Sequence, residues 1–137
     1  MKTPALAMTL LAVLSAIASS GCVPAADAAA HATITFRYSR FVPEMLEVSA
    51  GVPVTITLRN DDPIEHEWIV GPPEVHAAHR FGTEPVHDTR PTEVTVPALS
   101  TRSTTLIFDR PGDYAYICHL PGHEAYGMRG ILRVRSR

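Results

Sequence analysis

Apolar and polar residues alternate over short stretches along most of the chain, and no long stretch shows the period of an α-helix. Alternation of this kind is typical of strands that bury one face. Turn-forming residues such as glycine, proline and aspartate separate the stretches. The pattern predicts eight short strands, at residues 32–38, 45–48, 54–59, 66–70, 93–96, 104–108, 114–118 and 130–135. We therefore expect an all-β chain folded as a β-sandwich.

The segment 71–91 does not fit this alternation. It is rich in histidine, proline and glycine, and contains His76, His79 and His87. Two interpretations remain open, a loop throughout or a loop with a helical turn around residues 75–79.

The first residues have the pattern of an export signal: one lysine, an apolar run at residues 5–18, and then small residues. The run is shorter than the roughly 20 residues that span a bilayer. Ser-Ser-Gly-Cys, ending at Cys22, resembles a lipoprotein cleavage box, whereas residues 16–18 and 26–28 offer ordinary cleavage sites. We expect residues 1–28 to be signal and short linker, and residues 29–137 to be one domain outside the cytoplasm. It would be periplasmic, secreted or on the outer face of the membrane, and any attachment to the membrane would be through a lipid on Cys22.

The composition and charge of the chain bear on its class of function. The 137 residues are 45% apolar and 19% charged, with a formal net charge of −2, which fits an ordinary globular domain. A near-neutral chain gives no support for nucleic-acid binding. Nothing in the sequence indicates more than a monomer.

Cys118 is the one cysteine in the predicted domain. A spare thiol in an exported protein is normally oxidised, so we expect a single cysteine there to have a specific role. In a strand at 114–118, Cys118 and His119 point to opposite faces. The turn Pro121-Gly122 then brings His123 back towards Cys118, and Met128 follows at the start of the last strand. This loop has the spacing C-x4-H-x4-M.

His66, which opens a strand after the turn at residues 60–63, is the candidate for a fourth group. Two imidazoles and a thiolate with a weak methionine sulfur form the ligand set of a blue-copper electron-transfer site. The predicted ligands of one type 1 copper ion per chain are His66, Cys118, His123 and Met128.

Three segments carry a resemblance to the cupredoxin family of small blue-copper proteins. FVPEMLEVSAGVPVTITLRNDD is similar to the family's first strands, HEWIV to its first-histidine strand, and DRPGDYAYICHLPGHEAYGM to its ligand loop. The loop spacing is most similar to the rusticyanin and sulfocyanin type. The resemblance implies a Greek-key β-sandwich, the same four ligands, and transient transfer of single electrons to redox partner proteins, without enzymatic catalysis. Pro63, Ile64, Leu120, Pro121 and Gly122 would form an apolar docking patch for such a partner.

Two features depart from the family pattern. Glu67 follows the first histidine where family members often have asparagine, and strand alternation points its side chain away from His66, towards solvent. His76 and His79 would share one side of a helical turn and could form a second metal site or a copper-loading patch. We favour the simpler interpretation, solvated loop histidines, for these two, and for His87, His119 and His31 as well.

Other functions fit the residues less well. A structural zinc site could use His66, Cys118, His119 and His123, but zinc sites usually show paired ligands such as C-x2-C, and Met128 would have no role. A cysteine nucleophile lacks any accompanying oxyanion feature. The main alternative is a copper carrier or resistance protein, because the histidine-rich segment could deliver or sequester copper.

Overall fold

The chain folds as two β-sheets around one core; the computed structural model describes residues 30–83, residue 88 and residues 90–137. The described part contains these elements: β1 (Ala30–Phe36), β2 (Phe41–Val42), β3 (Met45–Ser49), β4 (Val54–Asn60), β5 (His66–Gly71), α1 (Pro73–Phe81), β6 (Glu93–Val96), β7 (Thr101–Leu106), β8 (Gly112–Ile117) and β9 (Arg129–Arg135). One sheet has the order β2-β1-β4-β7 and the other β3-β9-β8-β5-β6. The predicted β-sandwich is confirmed.

Alternating side chains from both sheets fill the core. Val54, Ile56 and Leu58 of β4 point inwards, while Trp68 of β5 and Tyr116 of β8 are fully buried. Burying a large apolar side chain contributes about 1.5–3 kcal/mol, so these inward faces fix which side of each strand meets the core. Cys118 and Met128 belong to the same buried cluster.

Several strand boundaries differ from the predictions, and two of the differences have a clear physical reason. The first strand ends at Phe36 and not at residue 38, because Tyr38 and Ser39 have φ values of 56° and 52°, in the left-handed region that a strand cannot use. The strand predicted at 104–108 is β7, which begins at Thr101. Its first residues are polar and exposed, and they pair with β4 at the edge of the sheet, where a search for apolar alternation misses them.

The segment 71–91, for which the sequence allows either a loop or a loop with a helical turn, contains a helix. A proline in the first turn starts α1, and Gly82, with φ of 61°, ends it in the left-handed conformation. The helix lies close to the end of β5. The closeness is shown at Gly71, where an added Cβ would come within 3.1 Å of Val75. This packing places the buried His76 and His79 beside the second sheet.

A tight contact joins β8 and β9 near their loop. Tyr116 lies opposite Gly130, and its hydroxyl donates a hydrogen bond to the carbonyl oxygen of Pro43 at 2.8 Å. A Cβ at Gly130 would lie 2.2 Å from the Tyr116 ring and 2.6 Å from the carbonyl oxygen of Glu44. Glycine therefore sets how closely the two strands pack, two residues away from Cys118 and Met128.

The expected signal and linker at residues 1–28, the alternative cleavage sites and Cys22 lie outside the described residues, as does His87. Within the described residues, no helix combines the length and the apolar character that crossing a membrane requires.

Candidate metal centre

One end of the second sheet brings the predicted ligands to neighbouring positions. His66 is the first residue of β5, Cys118 follows β8, and Met128 directly precedes β9. The Cys118 N–H donates to the Met128 carbonyl oxygen at 3.1 Å, and the Met128 N–H donates to the His123 carbonyl oxygen at 3.0 Å. These bonds close the loop between β8 and β9, so backbone geometry places three of the four side chains.

Donor atoms of three residues converge. His66 Nδ1 lies 3.1 Å from His123 Nδ1, and Cys118 Sγ lies 3.3 Å from the same His123 nitrogen. The ligating atoms of His66, Cys118 and His123 all lie within 4.8 Å of one another. His66, Cys118 and Met128 are fully buried, whereas His123 is partly exposed. The pocket is therefore closed on the protein side and reaches solvent at His123.

The thiol of Cys118 is buried and receives a hydrogen bond from the backbone N–H of Glu67 at 3.4 Å. Burial raises its pKa to about 11, against the lowering effect of the Glu67 and Leu120 backbone N–H groups. Without a cation the sulfur is protonated at neutral pH. A bound metal ion supplies the positive charge that stabilises the thiolate.

Asp62 orients His66. One carboxylate oxygen, Oδ2, lies 2.9 Å from His66 Nε2, and the carboxylate also accepts the N–H groups of Tyr38 at 2.7 Å and Ser39 at 2.8 Å. Although burial raises the pKa of Asp62, the backbone N–H groups of Ser39 and Tyr38 bring it below its ordinary value. Burial lowers the pKa of His66, against the effect of Asp62. The neutral imidazole thus keeps its proton on Nε2 and presents the Nδ1 lone pair to the pocket.

Asn60 holds the loop that carries Asp62. Its side-chain Oδ1 accepts the Asp62 N–H at 3.0 Å, and its Nδ2 donates to the carbonyl oxygens of Ile64 at 2.7 Å, Val96 at 3.1 Å and Pro97 at 3.0 Å. The roles of Asn60 and Asp62 were not predicted from the sequence, because Asn60-Asp61-Asp62-Pro63 was interpreted only as a turn. An aspartate four residues before the candidate ligand His66 was the available signal.

The side chain of Glu67 is half-buried, so the expected solvated position is wrong. One of its carboxylate oxygens is buried, and its negative charge acts to raise the pKa of Cys118. The hydrogen bond to the sulfur comes from the backbone of residue 67 and therefore does not require asparagine at that position.

Two other expectations change with the structure. His76 and His79 are buried on α1, and the His119 side chain is only 5% exposed, so none of the three is a solvated loop residue. His31 on β1 is exposed, as expected. In the expected docking patch Pro63, Ile64, Pro121 and Gly122 are exposed, but Leu120 packs partly buried against the core.

Comparison with known proteins identifies the family. The family described as "Cupredoxin-like domain" matches residues 5–132, and the chain belongs to it. It is 29% identical over 99 residues, 70% of its length, to the copper-resistant cuproprotein CopI of Rubrivivax gelatinosus. The matched region spans 60% of that relative's length.

Solved structures agree on the fold. Auracyanin B is 26% identical, with a TM-score of 0.63 over 80% of this chain and 92% of that one. Auracyanin A, a blue copper protein from Chloroflexus aurantiacus, is 27% identical, with a TM-score of 0.62 over 79% of this chain and 100% of that one. The auracyanin of Roseiflexus castenholzii shares the fold at 20% identity, with a TM-score of 0.65 over 79% and 98% of the two chains. The donor set of this chain, a thiol and two imidazoles with a buried methionine beside them, fits one type 1 copper ion.

Proposed function

We propose that this chain is an exported type 1 copper protein that carries single electrons between redox partner proteins. The observation that supports this most directly is the convergence of the His66, Cys118 and His123 donor atoms within 4.8 Å of one another. Met128 completes the proposed ligand set from the end of the same loop. Thiolate and thioether favour Cu(I), and imidazole also suits Cu(II), so this set serves both charge states.

The surrounding residues favour electron transfer without enzymatic turnover. When bound, copper would supply a reversible one-electron couple. The buried His66, Cys118 and Met128 exclude water and leave no position for a substrate. Backbone hydrogen bonds at Cys118, Met128 and Glu67 hold the donor atoms in place before any metal arrives, which keeps rearrangement between charge states small. His123 is the partly exposed member, so its edge is the proposed exit for the electron, on the loop that also carries the exposed Pro121.

The proposal is tested by cycling the copper-loaded mature domain between dithionite and ferricyanide, with a Cu(I) chelator present throughout. We expect one electron per chain in each direction and retention of copper over repeated cycles, because the metal is closed off by buried ligands. Visible absorption and copper analysis after desalting measure the two quantities. Electron uptake without reversal, or with loss of the metal, would contradict electron carriage.

The second candidate function is copper delivery or sequestration. The specific observation in its favour is the similarity to a copper-resistant cuproprotein, of which the matched region spans only 60% of the length. The same experiment separates the two functions. A carrier would lose its copper to the chelator on reduction, and it would pass copper to a metal-free acceptor protein faster than it passes electrons.

Replacing Asp62 with asparagine is expected to raise the reduction potential. The amide oxygen of the introduced side chain can replace Oδ2, which accepts from Ser39 and His66, while the bond from Tyr38 to Oδ1 is lost. The negative charge beside His66 is lost as well, and that charge favours the oxidised state. A charge in a partly buried site contributes on the order of 1–2 kcal/mol at an effective dielectric constant near 20, which corresponds to roughly 40–90 mV for one electron. Equilibrium redox titration measures the shift.

Asp61→Asn is the matched control. Asp61 is the neighbouring residue, carries the same charge, is exposed and pairs with Arg59 at 3.0 Å. Solvent screening should leave the potential of this variant close to that of the parent protein. Equal shifts in the two variants would show that the contact between Asp62 and His66 has no special effect.

We further propose that the domain is a monomer outside the cytoplasm, delivered by the signal-like residues 1–28, with residues 29–137 as the single folded unit. The free, buried Cys118 thiol fits an exported chain only if something protects it from oxidation, and a bound metal would do so. Mass spectrometry of the mature protein distinguishes a lipid on Cys22 from simple signal cleavage.

A further inference from the structure

A second group of histidines lies on the opposite side of the Cys118 strand end. His76 and His79 come from α1, and His119 follows Cys118 directly in the chain. The ring centroids of His76 and His119 are 5.2 Å apart, and the His79 ring stacks on His119 at 5.3 Å. We call His76, His79 and His119 the histidine cluster.

Each ring of the histidine cluster has an oxygen atom beside one of its nitrogens. His76 Nε2 lies 3.1 Å from the Ala115 carbonyl oxygen, and His79 Nδ1 lies 2.8 Å from that of Val75. His119 Nδ1 lies 3.6 Å from Glu124 Oε2. Metal-binding histidines characteristically donate one N–H to a carbonyl or carboxylate and present the other nitrogen to the ion. In a metal-bound state, the lone pairs that face the ion would be those on His76 Nδ1, His119 Nε2 and His79 Nε2.

Two nitrogens of the histidine cluster face each other. His76 Nδ1 and His119 Nε2 are 3.0 Å apart, nearly the 3.1 Å that separates the facing nitrogens of His66 and His123. Two lone pairs at this distance repel unless a cation lies between them, either a proton or a metal ion. Nitrogen ligands about 2.0–2.1 Å from a tetrahedral ion are themselves a little over 3 Å apart, so the pair is already near ligand spacing.

The histidine cluster can be reached from solvent. An open cavity of about 440 Å³ lies against it and is lined in part by His79, His119, Leu120 and Pro121. Arg80 and Glu124 also line this cavity, and Arg80 donates to both Glu124 carboxylate oxygens, so the two charges offset each other at the entrance. A cation entering the cavity would therefore meet imidazole nitrogens without a net opposing charge.

We propose that the histidine cluster is a second metal site, for a divalent ion of the borderline class such as Cu²⁺ or Zn²⁺. His76 Nδ1 and His119 Nε2 form its core, and His79 completes it when its ring turns towards the pair. An all-imidazole site without thiolate suits these two ions, and Cu²⁺ is bound more tightly than Zn²⁺ by the general order of affinities. This site uses none of the proposed type 1 ligands, although His119 and Glu124 belong to the same loop as Cys118 and His123.

Calorimetric titration of Zn²⁺ into the mature domain tests the proposal, after the domain has been loaded with one equivalent of copper and checked to hold one copper per chain, because excess Cu²⁺ would itself fill the histidine cluster. We expect one Zn²⁺ per chain, with affinity at least tenfold weaker in His79→Gln and in His76→Gln. The exposed His31→Gln is the matched control and should bind as the parent protein does. The visible copper band, measured on each variant, reports whether the fold is intact. His119 is left unchanged because it adjoins Cys118.

The outcome does not depend on the first site. In a Cys118→Ser variant the His76- and His79-dependent Zn²⁺ binding should persist, so loss of the type 1 centre and loss of the histidine cluster are distinguishable. Absence of Zn²⁺ binding in the parent protein, or binding unchanged in both His76→Gln and His79→Gln, would overturn the second site. The facing nitrogens would then share a proton in an ordinary hydrogen bond.

Discussion

A Cys118→Ser variant is expected to lose the intense thiolate-to-copper absorption of the copper-loaded protein entirely. A serine hydroxyl stays protonated in a buried pocket and is a hard oxygen donor, so it supplies neither the soft sulfur nor the electrons that give the band its intensity. Copper affinity should also fall by more than the roughly 10–100-fold that removal of an outer hydrogen-bond partner costs. Visible absorption at one copper per chain, before and after desalting, measures both effects.

Folding of this variant can be checked independently. Serine and cysteine are nearly the same size, and the backbone bonds from Cys118 N–H to the Met128 carbonyl oxygen and around the loop are retained. Metal-free Cys118→Ser should therefore keep the far-ultraviolet circular dichroism of the parent. His31→Gln, exposed on β1, serves as the control that keeps the band. An unchanged band in Cys118→Ser would show that Cys118 is not a ligand. Copper delivery or sequestration would then be the favoured function.

A Gly130→Ala variant should be severely destabilised, by about 3 kcal/mol or more, because inserting even small groups into a filled core costs about 1–3 kcal/mol and here a backbone atom is also in the way. The added Cβ would meet the Tyr116 ring at 2.2 Å and the Glu44 carbonyl oxygen at 2.6 Å. Tyr116 is fully buried and tied to Pro43, so its ring has little room to move. Denaturant unfolding of the metal-free protein measures the loss.

Gly51→Ala separates this clash from the general effect of removing a glycine. Gly51 has φ of 69°, and a Cβ there would meet nothing within 4 Å. The free energy of unfolding of Gly51→Ala should therefore fall only by the cost of placing alanine in the left-handed conformation, roughly 1–2 kcal/mol. Comparable losses in the two variants would mean that the β8–β9 contact adjusts easily. If Gly130→Ala folds at all, its copper band should also be altered, since Tyr116 and Gly130 lie two residues from Cys118 and Met128.

Alternation and turn residues were enough to predict the sandwich and most of its strands. β4, for example, buries every second residue, and its predicted and observed starts coincide at Val54. The ligand loop was equally readable, because C-x4-H-x4-M spacing within one hairpin needs only a turn at Pro121-Gly122 to bring Cys118 and His123 together. Contacts within one short loop depend on the turn that closes it, and turn-forming residues can be recognised in the sequence.

Apart from the place of His66 beside the ligand loop, features that depend on contacts between distant segments could not be predicted. Asp62 accepts hydrogen bonds from Tyr38 and Ser39, 24 and 23 residues earlier in the chain, and no spacing rule connects them. A second metal site at His76 and His79 is one interpretation of the sequence, but the contact of these residues with His119 could not be predicted, for the same reason. His76 and His119 are 43 residues apart, and only the packing of α1 on β5 brings their rings together.

The contact between Asp62 and the turn at Tyr38 and Ser39 has a consequence for how this protein can evolve. The carboxylate binds backbone N–H groups and not the side chains of the turn, and Tyr38 is 79% exposed. The side chains can therefore vary as long as they allow the left-handed conformation. Homologous chains that share this device should accept glycine, asparagine or aspartate at these two positions and reject valine or isoleucine. A turn that contributes no ligand would thereby carry a substitution pattern imposed by the candidate metal centre.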